Sequence, residues 1–385
     1  MTKKPSYRFA DYTEPWAEKK LGEVAEIYDG THQTPIYTTE GVMFLSVENI
    51  RTLHSDKYIS KDAFDKDFKI SPKSGDVLMT RIGDIGTSNI VETDIDLAYY
   101  VSLALIRSCT IESKFLNVSI SSDYFQKELW KRTLHIAFPK KINKNEIGQS
   151  KFFYPSLPEQ TAIGSFFQDI DQLISLQQRK LEVLKEQKKT YLKLLFPAKG
   201  QTKPALRFAG FEDEWKEVKL GDFVEISKGI QRNKEFLSSN ADSKNCYPVY
   251  NGGKQESGYT DEFNREGNIM ISEGGASAGF VNYFDGKYWS GGHNFTIDEL
   301  ENDIYYVLAL LESQQQELYS LQVGSGLPNI QLNSLKKVII TFPAFLEQQT
   351  IGSFFQDLDK AIAKQEEKVN QLKESKQTLL RKMFI

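Results

Sequence analysis

Two long stretches of the chain place apolar residues at alternating spacings of four and three, which is the heptad pattern of a coiled-coil helix. The first predicted helix covers residues 158–197, opens with the capping-box sequence Ser156-Leu-Pro-Glu159 and stops at Pro197, because proline cannot continue a helix. The second covers residues 346–385. The predicted seam consists of Ile163, Phe167, Ile170, Ile174, Leu181 and Leu184 in the first helix, and of Ile351, Phe355, Leu358, Ile362, Val369 and Leu372 in the second.

Both predicted helices depart from the apolar seam at the same places. Gln177 matches Gln365, and Lys188 matches Lys376. Because a narrow seam suits a rod-like partner better than a globular core, we expect the two helices to pack against each other. A pseudo-twofold arrangement would make them antiparallel. The alternative is that each helix packs separately on its own domain.

Each predicted helix also contains one glycine near its start, Gly164 in the first and Gly352 in the second. Glycine inside a helix costs up to about 1 kcal/mol relative to alanine. Its repetition in both helices predicts a close approach of another backbone at these positions.

The sequence repeats itself both outside the helices and within them. Pro5-Ser-Tyr-Arg8-Phe9-Ala10 returns as Pro204-Ala-Leu-Arg207-Phe208-Ala209, and Ile163-Gly-Ser-Phe-Phe-Gln-Asp169 returns as Ile351-Gly-Ser-Phe-Phe-Gln-Asp357. Between these blocks the two halves hardly resemble one another. A constant frame with variable inserts therefore predicts domains over residues 1–157 and 204–345, each followed by a long helix, with a linker over 198–203.

Each variable insert has the pattern of a mixed α/β domain. We therefore predict an α+β protein with two tandem domains of this kind and two long helices that form an antiparallel coiled coil. The predicted strands are Val42–Val47, Asp76–Thr80 and Leu97–Ile106 in the first insert, and Tyr247–Tyr250, Asn268–Ser272 and Gly279–Phe284 in the second. The predicted helices are Asp123–Leu134 and Ile304–Leu321.

Composition narrows the functional classes. The chain has 385 residues, too many for one ordinary core. Its polar start and the lack of an apolar run of about 20 residues lead us to expect a cytoplasmic protein. Cys109 and Cys246 are isolated and only four histidines exist, so we expect neither a disulfide framework nor a metal site.

Catalytic motifs are missing from the sequence. An adenine methyltransferase needs two adjacent prolines before an aromatic residue, and none of the 12 prolines has a proline neighbour. The glycine-rich stretch Gly274-Gly-Ala-Ser-Ala-Gly279 lacks the Gly-Lys-Ser/Thr continuation of a phosphate-binding loop, and is more typical of a flexible turn. We expect no catalytic residue and no bound cofactor in this chain.

Three motifs carry a family resemblance. They are Trp16-x3-Lys20-Leu-Gly22, Gly75-Asp-Val-Leu78 and the helix entrance Tyr154-Pro-Ser-Leu-Pro-Glu-Gln160. Together they resemble type I restriction–modification specificity subunits over essentially the whole chain. The second helix entrance, Phe342-Pro-Ala-Phe-Leu-Glu-Gln348, lacks the serine and the second proline, which weakens the predicted helix cap there.

The resemblance implies two target recognition domains that each read one half of an interrupted, asymmetric DNA site, with the two helices setting their spacing. It implies two methyltransferase subunits that use S-adenosylmethionine to methylate adenine N6, and a restriction–translocase subunit that uses ATP and Mg²⁺. About 37 residues at 1.5 Å each give a rod of roughly 55 Å, longer than the roughly 34–36 Å of one DNA turn. The net charge of −4 is unusual for a chain that binds DNA alone, so we expect partners to supply phosphate contacts.

Candidate DNA contacts follow from residue type and position. Gln33 and Gln231-Arg-Asn-Lys234 occupy matching places after the two repeated openings, and with Arg81 they provide side chains that can read base edges. Lys140, Lys141 and Lys144, in a stretch that also contains Lys131 and Arg132, are candidates for phosphate contacts. A solvated polar surface is the alternative for all of these residues.

Two other functional classes remain open on the sequence alone. One is a self-contained methyltransferase or nuclease with two recognition domains, which would need the motifs that are missing. The other is a coiled-coil repeat scaffold or adhesin-like protein without DNA specificity, in which the two inserts would be alike.

Overall fold

The computed structural model describes residues 4–108, 110–298, 301–324 and 326–384, so Cys109 lies outside the described residues. The chain divides into two compact units. Unit 1 contains residues 1–178 and 367–385, and unit 2 contains residues 179–366. Each unit therefore includes a segment of both long helices.

Unit 1 holds three small sheets, with strand orders β1-β9, β2-β8-β5-β6 and β4-β3-β7. Neighbouring strands are antiparallel except for β3 and β7, which are parallel. Its strands are β1 (Ala17–Lys20), β2 (Ala25–Asp29), β3 (Val42–Leu45), β4 (Tyr58–Ile59), β5 (Val77–Ile82), β6 (Asp84–Ile90), β7 (Leu97–Tyr99), β8 (Leu103–Ser108) and β9 (Lys151–Tyr154). Its helices are α1 (Lys61–Asp67), α2 (Ser113–Ile120), α3 (Asp123–Arg132), α4 (Lys144–Gln149) and the first part of α5 (Leu157–Leu194).

Unit 2 has an equivalent two-stranded sheet, β10-β17. In place of the two larger sheets of unit 1 it has a single six-stranded sheet of order β11-β16-β14-β15-β12-β13. Its strands are β10 (Lys216–Lys219), β11 (Ile226–Lys228), β12 (Tyr247–Tyr250), β13 (Gly258–Thr260), β14 (Arg265–Ser272), β15 (Val281–Ser290), β16 (Asn294–Ile297) and β17 (Ile339–Phe342). Its helices are α6 (Leu220–Phe223), α7 (Ile304–Ser313), α8 (Gln315–Ser320), α9 (Leu332–Lys336) and α10 (Phe345–Met383), whose last part belongs to unit 1.

Two predicted elements are in fact two elements each. The predicted strand Leu97–Ile106 is interrupted because Val101 donates a backbone hydrogen bond to Thr31, outside the sheet, so β7 ends before it and β8 begins after it. The predicted helix Ile304–Leu321 is broken at Gln314, whose backbone leaves the helical region at φ −97° and ψ 13°. The predicted strand Gly279–Phe284 is longer than expected, since β15 continues to Ser290.

The two long helices run antiparallel, as predicted. In unit 1, Asp171 of α5 pairs with Lys376 of α10, and Phe167 contacts Phe384 at 6.0 Å between ring centroids. In unit 2, Lys185 of α5 pairs with Glu366 of α10 at 2.5 Å, and Lys188 pairs with Asp359 at 2.8 Å. Rising numbers on α5 meet falling numbers on α10 in both units. Of the predicted seam, the buried residues are Ile163, Phe167, Ile174, Ile351, Phe355 and Val369, and the half-buried residues are Ile170, Leu181, Leu184, Leu358, Ile362 and Leu372.

The end of each long helix fills a core. Phe384, after α10, packs on Trp16, Phe115 and Phe167 in unit 1, with ring centroids 5.8–6.0 Å apart. The matching contacts in unit 2 are made by Phe196, after α5, which packs on Trp215, Tyr306 and Phe355 at 5.6–6.2 Å.

The predicted close packing at the helix glycines is confirmed. A Cβ at Gly164 would lie 2.8 Å from the backbone nitrogen of Phe115, at the start of α2. A Cβ at Gly352 would lie 2.8 Å from the backbone nitrogen of Tyr306, at the start of α7. In both units the glycine lets the long helix touch the amino end of a shorter one.

The predicted capping box at the start of α5 is wrong in one respect. In a capping box the glutamate side chain bonds to the backbone N–H of the N-cap residue. Glu159 does not play this part, because both of its carboxylate oxygens accept hydrogen bonds from Arg8 at 2.6 Å. Arg207 makes the same bidentate contact with Glu347 at 2.7 Å. The repeated arginine therefore ties the opening of each half to the start of its long helix. Within the described ranges, no helix is both long and apolar enough to span a bilayer.

Candidate nucleic-acid interface

The loop that carries Gln33 begins where β2 ends. A Cβ at Gly30 would overlap the carbonyl oxygen of Tyr99, so only glycine permits this close approach. Thr31 then donates its backbone N–H to that carbonyl at 3.1 Å. The hydroxyl of Thr31 accepts a hydrogen bond from the backbone of Gln33 at 3.3 Å and turns the chain outward. The side chain of Gln33 is exposed.

Arg81 lies in the interior of unit 1. Its side chain is 6% exposed, its guanidinium pairs with Asp29, and its Nε donates to the carbonyl of Ile142 at 3.1 Å. Burial lowers the pKa of Arg81. Arg81 therefore joins the end of β2 to the chain at Ile142, and its predicted base contact stays a prediction.

Lys140, Lys141 and Lys144 lie in what we call the basic loop, residues 131–144. All three lysine side chains are exposed. The loop is attached to the end of β5, because Gly83 donates its N–H to the carbonyl of Lys140 at 2.8 Å. The Nζ of Lys144 lies 3.8 Å from Asp29. The structure thus brings the predicted residues of the first half to one end of the β2-β8-β5-β6 sheet.

The loop that follows β11 in unit 2 is built in the same way. Gly229 donates its N–H to Asn294 at 2.8 Å, and Ile230 donates to Ser290 at 2.8 Å. A Cβ at Gly229 would overlap the carbonyl oxygen of Gly291. Gln231 and Lys234, which follow, are both exposed.

Arg232 is held by its neighbours. Its guanidinium pairs with Asp261 at 2.6 Å and with Glu262 at 2.8 Å, and it lies over the rings of Trp289 and Phe236 at 4.4 and 5.2 Å. Only 11% of the side chain is exposed. Its charge is balanced within unit 2, which leaves Gln231 and Lys234 as the exposed predicted residues of this loop.

Several residues of these surfaces are not apparent from the sequence alone. Trp289, Asp261 and Glu262 lie far from Arg232 in the chain, so no local pattern links them. Trp130, Ile136 and Phe138 lie on or beside the basic loop with exposed side chains. The segment Leu134–Phe138, apolar except for His135 and set inside a basic stretch, is the signal that could have found them. Across the part of the chain that the structure describes, no group of three or more histidine, cysteine or acidic side chains could hold a metal ion.

Comparisons with known proteins agree with this architecture. Residues 13–186 and 212–374 match the family model of the type I restriction modification DNA specificity domain. A candidate type I specificity subunit of Mycoplasma pneumoniae is 34% identical over 138 residues, which are 35% of this chain and 36% of that protein. A candidate specificity subunit of the type I restriction enzyme MjaX of Methanocaldococcus jannaschii is 26% identical over 339 residues, 80% of this chain and 76% of that protein.

The crystal structure of a type I restriction-modification system S subunit from M. genitalium shares the fold. It superposes with a TM-score of 0.71 at 15% identity and covers 100% of this chain and 99% of that one. The sequence match to the Mycoplasma pneumoniae relative, by contrast, spans only about a third of that protein's length.

Proposed function

Because the chain belongs to the family of type I restriction modification DNA specificity domains, we propose that it is the sequence-reading subunit of a type I restriction–modification enzyme. Each half reads one half of an interrupted, asymmetric DNA site, and the two long helices set the distance between the half-sites. The chain itself carries out no catalysis.

The observation that carries this proposal is one frame built twice around two different inserts. Arg8 with Glu159 and Arg207 with Glu347 repeat the same bidentate contact. The inserts differ, with sheets of four and three strands in one and a sheet of six in the other. Such a chain can change what it binds at either insert without disturbing the contacts that hold its helices.

Partner subunits supply the chemistry and much of the phosphate contact. Two methyltransferase subunits with S-adenosylmethionine methylate adenine N6 after flipping the base out of the duplex, and a restriction–translocase subunit uses ATP and Mg²⁺. The net charge of −4 supports a need for such partners, because a chain that binds DNA alone usually carries net positive charge. Lys140 and Lys141 are the exposed cations that we assign to phosphates in the first half.

A genome-wide map of N6-methyladenine tests this proposal. The map is compared between the host and the same host without this gene, with the methyltransferase partner expressed in both. We expect the loss of one interrupted motif of two short specific halves around a fixed gap. Unchanged methylation would contradict the proposal.

An exchange of inserts sharpens the test. Replacing residues 23–150 by the corresponding insert of a relative keeps both long helices and all of unit 2's insert. We expect one half of the methylated motif to change while the other half stays the same. A change in both halves would contradict separate reading by the two inserts.

A further inference from the structure

The tip of the basic loop presents two apolar side chains entirely to solvent. Ile136 is 100% exposed and Phe138 104% exposed, and Leu134 and Trp130 beside them are 41% and 56% exposed. Each isoleucine or phenylalanine left in water forgoes roughly 1.5–3 kcal/mol of burial free energy. A group of exposed apolar side chains marks a surface that another molecule covers.

This tip is held in place at its base. Leu134 donates its N–H to the carbonyl of Lys141 at 2.8 Å, and Ile142 donates to the carbonyl of Arg81 at 3.0 Å. The hydroxyl of Thr133 closes the end of α3 by donating to Leu129 at 2.8 Å. The loop is therefore attached to both α3 and β5, and only the tip projects.

The charge around the tip selects the kind of partner. Residues 134–141 contain two lysines and no acidic residue. The Nζ of Lys140 lies 4.6 Å over the ring of Trp130, and Lys141 is exposed beside it. Glu128, the carboxylate nearest along α3, is buried and is engaged by Lys131 and Arg132. Lysines that flank exposed isoleucine and phenylalanine suit a polyanion with apolar faces between its charges, which describes nucleic acid.

We propose that Ile136 and Phe138 form a wedge that enters a base step of duplex DNA at the half-site read by unit 1, while Lys140 and Lys141 contact the flanking phosphates. This inference rests on the proposed function and deepens it. Unstacking costs a few kcal/mol and depends on which bases are stacked, so the wedge adds sequence preference at a step where no base edge is read by hydrogen bonding.

Unit 2 provides a matched comparison. The chain between α8 and α9 exposes Val323 and Leu327, and its base is closed because Val323 donates to Asn329 at 2.8 Å. Residues 321–330 contain no charged residue, however. Leu327→Ala therefore removes a comparably exposed apolar side chain in a loop without flanking lysines, and serves as the control.

The test uses the chain assembled with its methyltransferase partner and a duplex that carries the methylated motif, with 2-aminopurine placed at one position at a time across the first half-site. We expect fluorescence to rise severalfold at one step, and the double variant Ile136→Ala/Phe138→Ala to abolish that rise. The double variant should raise the Kd about tenfold, equivalent to about 1.4 kcal/mol, without changing the salt dependence of binding. Leu327→Ala should keep the fluorescence rise.

Lysine variants separate the wedge from the charges beside it. Lys140→Ala/Lys141→Ala should lower the slope of log K against log salt by roughly one for each phosphate that the lysines no longer neutralise. Because all four altered side chains are exposed, each variant should keep its thermal midpoint, which verifies that it is folded.

The outcomes are distinct. If the assembled wild-type complex binds no specific duplex, the proposed function fails. If it binds and methylates its motif but no 2-aminopurine position responds and the double variant binds equally well, the wedge alone is overturned. Dissociation of the methyltransferase subunit from the double variant on gel filtration, with no change at the DNA, would also overturn it, since the tip would then be a protein contact.

Discussion

In unit 1 the bidentate contact of Arg8 with Glu159 measures 2.6 Å, and in unit 2 the contact of Arg207 with Glu347 measures 2.7 Å. The surrounding aromatic groups also match, with Phe384 in one core and Phe196 in the other. The exposed loops do not match: the basic loop in unit 1 is rich in lysine, whereas residues 321–330 of unit 2 include no charged residue.

This contrast separates residues that contact the long helices, which are the same in both units, from residues of exposed loops, which differ. A contact that joins a domain to the long helices must suit helices that share much of their sequence, so both units keep it. An exposed loop tip, such as Ile136 or Leu327, has no such constraint. The two units therefore share the contacts that join each domain to the long helices and differ in the charge of their exposed loops.

One repeated ion pair between the long helices differs between the two units. Lys188 is bonded to both Glu312 and Asp359, whereas the matching Lys376 is bonded to Asp171. The residue that matches Glu312 in unit 1 is Ser121, which directly follows α2, and serine offers no carboxylate. Burial by itself lowers the pKa of Lys188, but the two carboxylates outweigh it and raise that pKa above the ordinary lysine value. Burial raises the pKa of Glu312.

The largest expected effect comes from the two arginines. Arg8→Ala and Arg207→Ala each leave a buried glutamate without its cation, which should cost about 3–5 kcal/mol of unfolding free energy. Arg207→Ala should be the more harmful, because Glu159 keeps the indole N–H of Trp16 at 3.4 Å while Trp215 Nε1 has no hydrogen-bond partner among the described atoms. Urea unfolding followed by tryptophan fluorescence measures both. A decrease below about 1 kcal/mol in either variant would show that the frame does not depend on this contact.

The helix-terminal phenylalanines should come next. Phe196→Ala and Phe384→Ala each remove a ring from an aromatic core and should cost about 3 kcal/mol. Because their contacts match, the two decreases should agree within about 1 kcal/mol, and Phe→Leu at each position should restore part of the stability. Differential scanning calorimetry measures the loss of stability in each variant. Losses that differ by more than this would mean that the two cores are not equivalent.

The smallest effect should separate the two lysines. Lys188→Met leaves the half-buried Glu312 beside Asp359 without a cation and should cost about 2 kcal/mol at neutral pH. Lys376→Met removes a more exposed pair and should cost less than about 1 kcal/mol.

The pH dependence of the Lys188→Met deficit has a definite sign. A carboxyl group whose pKa is raised in the folded protein favours folding when protonated, so its penalty appears as pH rises through the unfolded value toward the folded one. The deficit of Lys188→Met should therefore shrink as pH falls toward the unfolded glutamate value of about 4.3, while that of Lys376→Met stays small. Urea midpoints at about pH 4 and pH 7 measure this difference, and a deficit that grows at the lower pH would contradict it.

The antiparallel helices could be predicted because their evidence is local. The seam from Ile163 onward, the glycines at Gly164 and Gly352 and the repeated polar positions all follow from helical periodicity within one stretch of chain. The repeat then predicts that the two helices make similar contacts. The repeat favoured an antiparallel pair without fixing it, because a twofold axis can also relate parallel helices, and the pairs formed by Lys188 and Lys376 decide the direction.

The sequence by itself determined the repeat, the long helices and the mixed domain that precedes each of them. Only the tertiary structure decided which cations are held and which are exposed. Arg81 turns inward to Asp29 and Arg232 is held by Asp261 and Glu262, whereas Lys140 stays exposed beside Trp130. The physical reason is distance along the chain. Helical periodicity depends on neighbours three and four residues apart, whereas the partner of a charged side chain is chosen by folding from residues far away in sequence. The exposure of Phe138 could not be predicted from the sequence for the same reason. Whether an apolar side chain is buried or exposed depends on which distant parts of the chain fold around it.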